Sequence, residues 1–384
     1  MKRILGIVAE YDPFHNGHAR HLRLARERVQ PDFTYVVLSG CFKQRGEMAM
    51  FSPYDRAECA LAGGADAVFL LPTEWTVRDA EHYAIGAISL LSALGMTHLA
   101  FGAESRELLH LKRAAEQTES PSEEFRSRLK KLLAEGCGYP RAVESAMREI
   151  DPEAASAMAQ PNNILAICYL RAIYRVRPEI IPCAIPRDGD YHTESIESEN
   201  PSAMAVRKAL ARGDYAHAFG AVPEGSARII RRAFLNQIIP DERRTDSILI
   251  RQLRKMDRME IAGLPDVSEG LEDRIFQAAQ KVNTRRELLN AVCTRRYPRA
   301  RISRICAAAM LGWRKETLDM LPLPRETLLL GMRSDSEMTS YWRESGIRIC
   351  RNRKELSPDP AWSLWCQGSG LREEWSYRQQ VRKG

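Results

Sequence analysis

The chain has 384 residues, 44% hydrophobic and 28% charged, with a formal net charge of +7. That length exceeds one typical domain and can bury two cores, and the composition is that of an ordinary globular protein rather than a disordered or fibrous one. The moderate basic excess permits a nucleic-acid partner and equally suits a basic enzyme without one. No uninterrupted apolar run reaches bilayer-spanning length, so no membrane association is expected. The apolar run after Met1-Lys2-Arg3 is too short for a signal sequence and stops at Glu10-Tyr11-Asp12. Nine cysteines without a Cys-x-x-Cys pair argue against a disulfide framework and against structural zinc. They predict reduced thiols in a cytoplasmic protein.

Ile4 to Ala9 reads as a buried parallel strand, Asp12-Pro13 as a turn, and Ala19 to Val29 as a helix. Strand, loop and helix N-terminus form the geometry in which backbone N–H groups and a helix dipole meet an anion. His15 and His18, three apart, can share one side of the first helical turn. With Gly17 between them, two imidazole donors there suit charge building on a nucleotide's α-phosphorus. A chance pair, or half of a metal site, is the plainer alternative.

Phe33 to Leu38 is a second strand, and its loop carries Lys43, Gln44 and Arg45, which face a ligand crevice or are simply a solvated basic loop. A helix over Pro53 to Leu61, a strand over Ala67 to Leu71, a helix over Asp79 to Leu94 and a strand from His98 to Phe101, followed by Gly102, continue the alternation. The expected fold class is therefore α/β, a parallel sheet covered on both faces. Helical segments from Ser120 to Met158 read as an insertion. Asn162 falls near a helix start, where an N-cap is the bland assignment. A fifth strand over Glu179 to Pro186 leads to Arg187, whose guanidinium suits a phosphate.

Near Pro223 the pattern changes. Beyond it amphipathic helices dominate, over Ala227 to Gln237, Asp246 to Asp257, Gly270 to Val282, Thr284 to Thr294 and Ile302 to Leu311, which predicts a catalytic domain over 1–222 and an all-helical one over 223–384. Seven arginines lie between Arg285 and Arg304 with Glu287 the single intervening acid, a footprint for a phosphate backbone if not merely a solvated face. The tail from Ser357, with Trp362, Trp365 and Trp375, closes the fold as a strand or helix.

Phe14-His15-Asn16-Gly17-His18 resembles the H-x-G-H motif of nucleotidyltransferases, which share a Rossmann-like fold. Together with Leu38 to Glu47, Phe101-Gly102-Ala103-Glu104, Pro161 to Leu165 and Gly270-Leu271-Glu272, it is similar to the bacterial tRNA(Met) cytidine acetate ligase family, over most of the chain. The resemblance implies catalysis by His15 and His18. It also implies ATP contacts along Ile7, Val8, Ala9, Glu10, Tyr11, Asp12, Pro13, Phe14, His15, Asn16, Gly17, His18, Ala19 and Arg20, and at Gly102, Asn162 and Arg187. Ser202 and Arg207 match a segment that holds the outer phosphates at a second helix start in related enzymes. RNA contacts fall to Lys43, Arg45, Arg295, Arg296, Arg299, Arg301 and Arg304.

The resemblance further implies acetate activated as acetyl-adenylate and passed to the wobble cytidine of elongator tRNA(Met), giving N4-acetylcytidine. Mg²⁺ is expected with the triphosphate, without a dedicated metal site of carboxylates. The chain departs from the family pattern at Cys41, Met204 and Pro298, where Asn, Thr and Thr are usual. Two other functions are weighed beside it: nucleotidyl transfer to a small phosphorylated metabolite, and a non-catalytic RNA-binding protein on a vestigial nucleotide fold.

Overall fold

The computed structural model describes residues 2–104, 107–186, 201–236, 238–268, 270–333, 336–343 and 346–370. Among them seven strands form one sheet in the order β5-β4-β1-β2-β3-β6-β7. These are β1 (Ile4–Ala9), β2 (Phe33–Ser39), β3 (Ala67–Leu71), β4 (His98–Ala103), β5 (Ile181–Pro186), β6 (Glu326–Met332) and β7 (Arg348–Cys350). β1 to β5 are mutually parallel, with Ile7 beside Val36 on one side and Ala100 on the other.

Alternation along the central strands explains their nearly unbroken apolar sequence. Tyr35 and Val37 of β2 face one core, while Val36 and Leu38 face another across the sheet. A strand buried on both faces has no polar side to show. The chain runs outward from β1 to β3, then returns to the opposite side of β1 for β4 and β5. The order therefore reverses between β1 and β4, and in open sheets of this kind the ligand crevice lies beyond the carboxyl ends of the two strands at such a reversal.

Beyond residue 223 the expectation of an all-helical part needs correction. Helices do build a separate core, from Leu249 and Leu253 through Leu288 to Ile305. The chain then comes back to the sheet: β6 pairs antiparallel with β3, and β7 parallel with β6. The Leu-rich run of β6 carries no alternation to separate it from a buried helix. Helix Pro360–Ser369 follows and buries Trp362 and Trp365 against the face of the sheet that holds Leu38 and Leu70. Trp375 lies outside the described residues.

Asp151 caps helix Pro152–Met158, with proline at its first position as the sequence predicts, and separates it from helix Tyr139–Ile150. One further boundary differs. The N-cap of helix Pro161–Val176 is Gln160, so Asn162 lies inside its first turn instead of capping it. No helix among the described residues is long and apolar enough to cross a membrane.

Candidate active site

The first helix begins at Asn16, three residues earlier than its apolar periodicity indicates, because the histidines themselves start it. His15 is the N-cap, and its Nδ1 accepts from the Gly17 N–H at 3.1 Å. His18 Nδ1 accepts from the His15 N–H at 3.3 Å, completing a reciprocal capping box. A ring nitrogen that accepts holds its lone pair in the ring plane, so in the neutral imidazole the proton sits on Nε2. The rings stack with centroids 3.7 Å apart, and both become Nε2–H donors of fixed tautomer.

This changes how the helix end would meet an anion. The Asn16 N–H donates to Ala221 O at 2.9 Å, the Gly17 N–H to His15, and the His18 and Ala19 N–H groups to His15 O. Imidazoles thus replace the bare amides that the sequence suggests. Gly17 is required by proximity: a Cβ there would lie 2.9 Å from His15 Cε1.

Asp12, two residues after β1's last neighbour Glu10, joins this loop to three other segments. It is 2% exposed and accepts from the Met50 and Phe51 N–H groups at 3.1 and 3.0 Å. Lys43 Nζ and an Arg207 guanidinium nitrogen each lie 3.7 Å from its Oδ2. Burial pushes its carboxyl up, but the cations Lys43, Arg207 and Arg56, with the Phe51 N–H, outweigh this and hold it below the ordinary value. Arg56, fully buried, donates to Phe51 O, to Glu10 O at the end of β1 and to Gly40 O at the end of β2. Neither role was legible beforehand, although an arginine on the apolar helix Pro53–Ala62 was a signal.

Lys43 is not on an outer basic face. It is 6% exposed and pairs with Glu47 Oε2 at 2.8 Å as well as with Asp12. Arg45 beside it is exposed. Arg207, from helix Ala203–Ala211, donates to Asp12 O, while Ser202 caps that helix by accepting from Ala205 N–H at 3.2 Å. Gly102 lies on β4 opposite Ile185. The loop after β4 is tied by Asn163, which accepts from Glu104 N–H at 2.9 Å and donates to Ala157 O at 3.0 Å. Arg187 lies outside the described residues. A cavity of about 420 Å³ sits beside the end of β5, lined by Arg20, Leu24, Glu27, Arg28, Ile185 and Pro186. Cys41 is buried, which raises its thiol well above the ordinary value and makes it a packing group rather than a nucleophile. Met204 is partly exposed, and Pro298 is the N-cap of helix Arg299–Leu311.

The arginines divide into two sets. Arg295, Arg296 and Arg299 are exposed, with Arg299 donating to Asn290 Oδ1 at 3.1 Å. Arg301 donates to Asp266 O and Ser268 Oγ, and Arg304 to Asp266 Oδ2 at 2.7 Å, so both brace the helical core. Tyr297 lies under the guanidiniums of Arg296 and Arg301. No group of three or more His, Cys, Asp or Glu among the described residues could hold a metal.

Two fixed donors and the Arg207 cation, beside a strand end at the switch point, can stabilise a five-coordinate phosphorus without a protein nucleophile. A family model described as HIGH nucleotidyl transferase matches residues 1–346. The chain is 35% identical over 346 residues to tRNA(Met) cytidine acetate ligase of Acetivibrio thermocellus, covering 86% of this chain and 83% of that one. It is 32% identical over 362 residues to the ligase of the same description from Thermoanaerobacter sp. (strain X514), covering 93% and 87%. Among solved structures, apo Thermotoga maritima TmcAL superimposes with a TM-score of 0.87 at 28% identity, over 99% of this chain and 92% of that one. TmcAL bound with alpha-thio ATP gives 0.86 at the same identity and coverage.

Proposed function

This chain belongs to the tRNA(Met) cytidine acetate ligase family of HIGH nucleotidyltransferases, and from that premise we propose how its crevice carries out the reaction. The protein is an ATP-dependent ligase. A carboxylate oxygen of acetate attacks the α-phosphorus of ATP, the bond to the β-phosphate oxygen breaks, and pyrophosphate leaves. The N4 amine of cytidine then attacks the acyl carbon of acetyl-adenylate, the acyl–phosphate C–O bond breaks, AMP leaves and N4 gives up a proton.

The observation that carries this reading is the His15–His18 capping box, which commits both Nδ1 atoms to the backbone and makes Nε2–H donors of both rings. They stabilise charge on the α-phosphate as it forms. The glycine-bearing loop from Ile7 to Arg20, Gly102, Asn162 and Arg187 cradle the nucleotide, and Ser202 and Arg207 take the outer phosphates. Mg²⁺ enters with the triphosphate: the nearby carboxylates are engaged, Asp12 by Lys43 and Arg207 and Glu10 by the Gln44 N–H at 2.8 Å, so the donor set does not fit a resident ion.

Residues 223–384 supply the RNA surface through Arg295, Arg296 and Arg299, and the wobble cytidine of elongator tRNA(Met) is the acceptor. The nine cysteines, none of them in a disulfide, fit a reducing cytoplasm. The test is incubation of the protein with ATP, labelled acetate and bacterial tRNA, followed by nucleoside analysis. Labelled N4-acetylcytidine that requires ATP is the expected product. Label that appears with acetyl-CoA alone, or nucleotidyl transfer to a small metabolite without tRNA, overturns the reading.

A further inference from the structure

The loop after β2 folds back on itself as a short hairpin closed by the Phe42–Met48 bridge, with Lys43 N–H donating to Glu47 O at 2.8 Å. Its base belongs to the crevice. The Gln44 N–H donates to Glu10, Lys43 pairs with Asp12, and the following Met50 and Phe51 N–H groups hold the same carboxylate. Its tip touches the arginine-bearing helix. Ser303, 3% exposed in that helix, donates through Oγ to Arg45 O and accepts from Arg285. Gly46 has φ +74°, and a Cβ there would lie 2.6 Å from Ser303 O and 2.7 Å from Arg304 Cα. The backbone of hairpin and helix thus meet with no room for one further carbon.

We propose that this hairpin is the strut that sets the register of the RNA-bearing helix over the adenylating crevice, with Ser303 and Gly46 as positioning residues for acyl transfer. The inference rests on the ligase reading and adds to it the element that aligns its two substrates. Acyl transfer brings an atom held by one part of the chain, the RNA acceptor, onto an atom held by another, the adenylate. Adenylation needs only the crevice. A displaced strut should therefore slow the second step and spare the first. Arg285 is correspondingly a brace for Ser303, and Glu47 lies within electrostatic reach of Arg285 on one side and Arg207 on the other.

The test uses the full chain and three variants: Ser303→Ala, Ser303→Thr and Gly46→Ala. Three quantities are measured on each, namely acetate-dependent ATP–pyrophosphate exchange, the Kd for tRNA, and kcat for tRNA acetylation at saturating substrates. Ser303→Ala and Gly46→Ala should lower kcat for acetylation by about 10- to 100-fold while exchange and Kd stay at wild-type values. Ser303→Thr, which keeps the hydroxyl, should restore kcat. Exchange falling in parallel, Kd weakening in parallel, or acetylation unchanged would each overturn the inference. If Gly46→Ala unfolds, Ser303→Ala, which removes one oxygen and adds no bulk, decides alone. Wild-type protein that shows exchange but never acetylates tRNA defeats the ligase reading itself, a result separate from any of these.

Discussion

The imidazoles of His15 and His18 stack at 3.7 Å, His18 Nδ1 accepting the N–H of His15 and His15 Nδ1 that of Gly17. The same two rings start a helix and present its donors. Structure and chemistry therefore fail separately only under a substitution that keeps one and loses the other.

His18→Gln is that substitution. Glutamine at this position of a capping box accepts the same N–H but carries no imidazole. Its melting temperature should match wild type, while ATP–pyrophosphate exchange falls by about 10²–10³. His18→Ala should lose the same rate and, in addition, about 1 kcal/mol of stability. Both should retain tRNA on a filter.

Asp12→Asn probes the buried hub. The folded carboxyl sits below its ordinary 3.8, so it contributes stability that is present above that value and lost as pH falls through the folded one. Wild type should show this loss in acid unfolding curves, and the variant should not. At neutral pH the variant leaves Lys43 and Arg207 without their shared anion. A cost of about 3–5 kcal/mol in urea unfolding is expected.

Glu74 should behave in the opposite sense. Burial and the neighbouring charge of Asp359 push its carboxyl up to about 6 from 4.5. Folding then favours the protonated form, and stability declines as pH rises through that interval. Glu74→Gln should therefore be more stable than wild type at pH 7.5, by at most about 2 kcal/mol, and should lose that advantage at pH 4. Thermal melts at the two pH values check it.

The arginines should separate by role. Replacing Arg295 and Arg296 with alanine should weaken tRNA binding and lower the slope of log K against log salt by about 0.7–0.9 per residue, with no change in melting temperature. Replacing Arg304 should instead cost about 1–3 kcal/mol of stability, since it breaks the 2.7 Å pair with Asp266. Gel shifts across a salt series, paired with melts, distinguish them.

The parallel half of the sheet was readable because β1 to β4 are buried on both faces, and burial leaves an apolar run between turn residues whatever the neighbours are. What escaped depends on partners distant in sequence. Lys43 looks like a solvated loop lysine until Asp12, 31 positions earlier, meets it 3.7 Å away. Asn163 ties the loop after β4, which its neighbour Asn162 obscured. Arg301 and Arg304 count as surface charge in any composition window, and only Asp266 reveals them as braces. Trp365 gave no hint of its target, because its indole N–H finds Ala49 O in the other half of the chain, at 2.9 Å.

β6 closes against β3, so the amino-terminal sheet is finished by a strand that follows 254 residues of intervening chain, from 72 to 325. On the ribosome, β3 therefore waits with one side of its backbone unpaired until residues past 330 have cleared the exit tunnel. Nascent fragments would expose that edge to other chains.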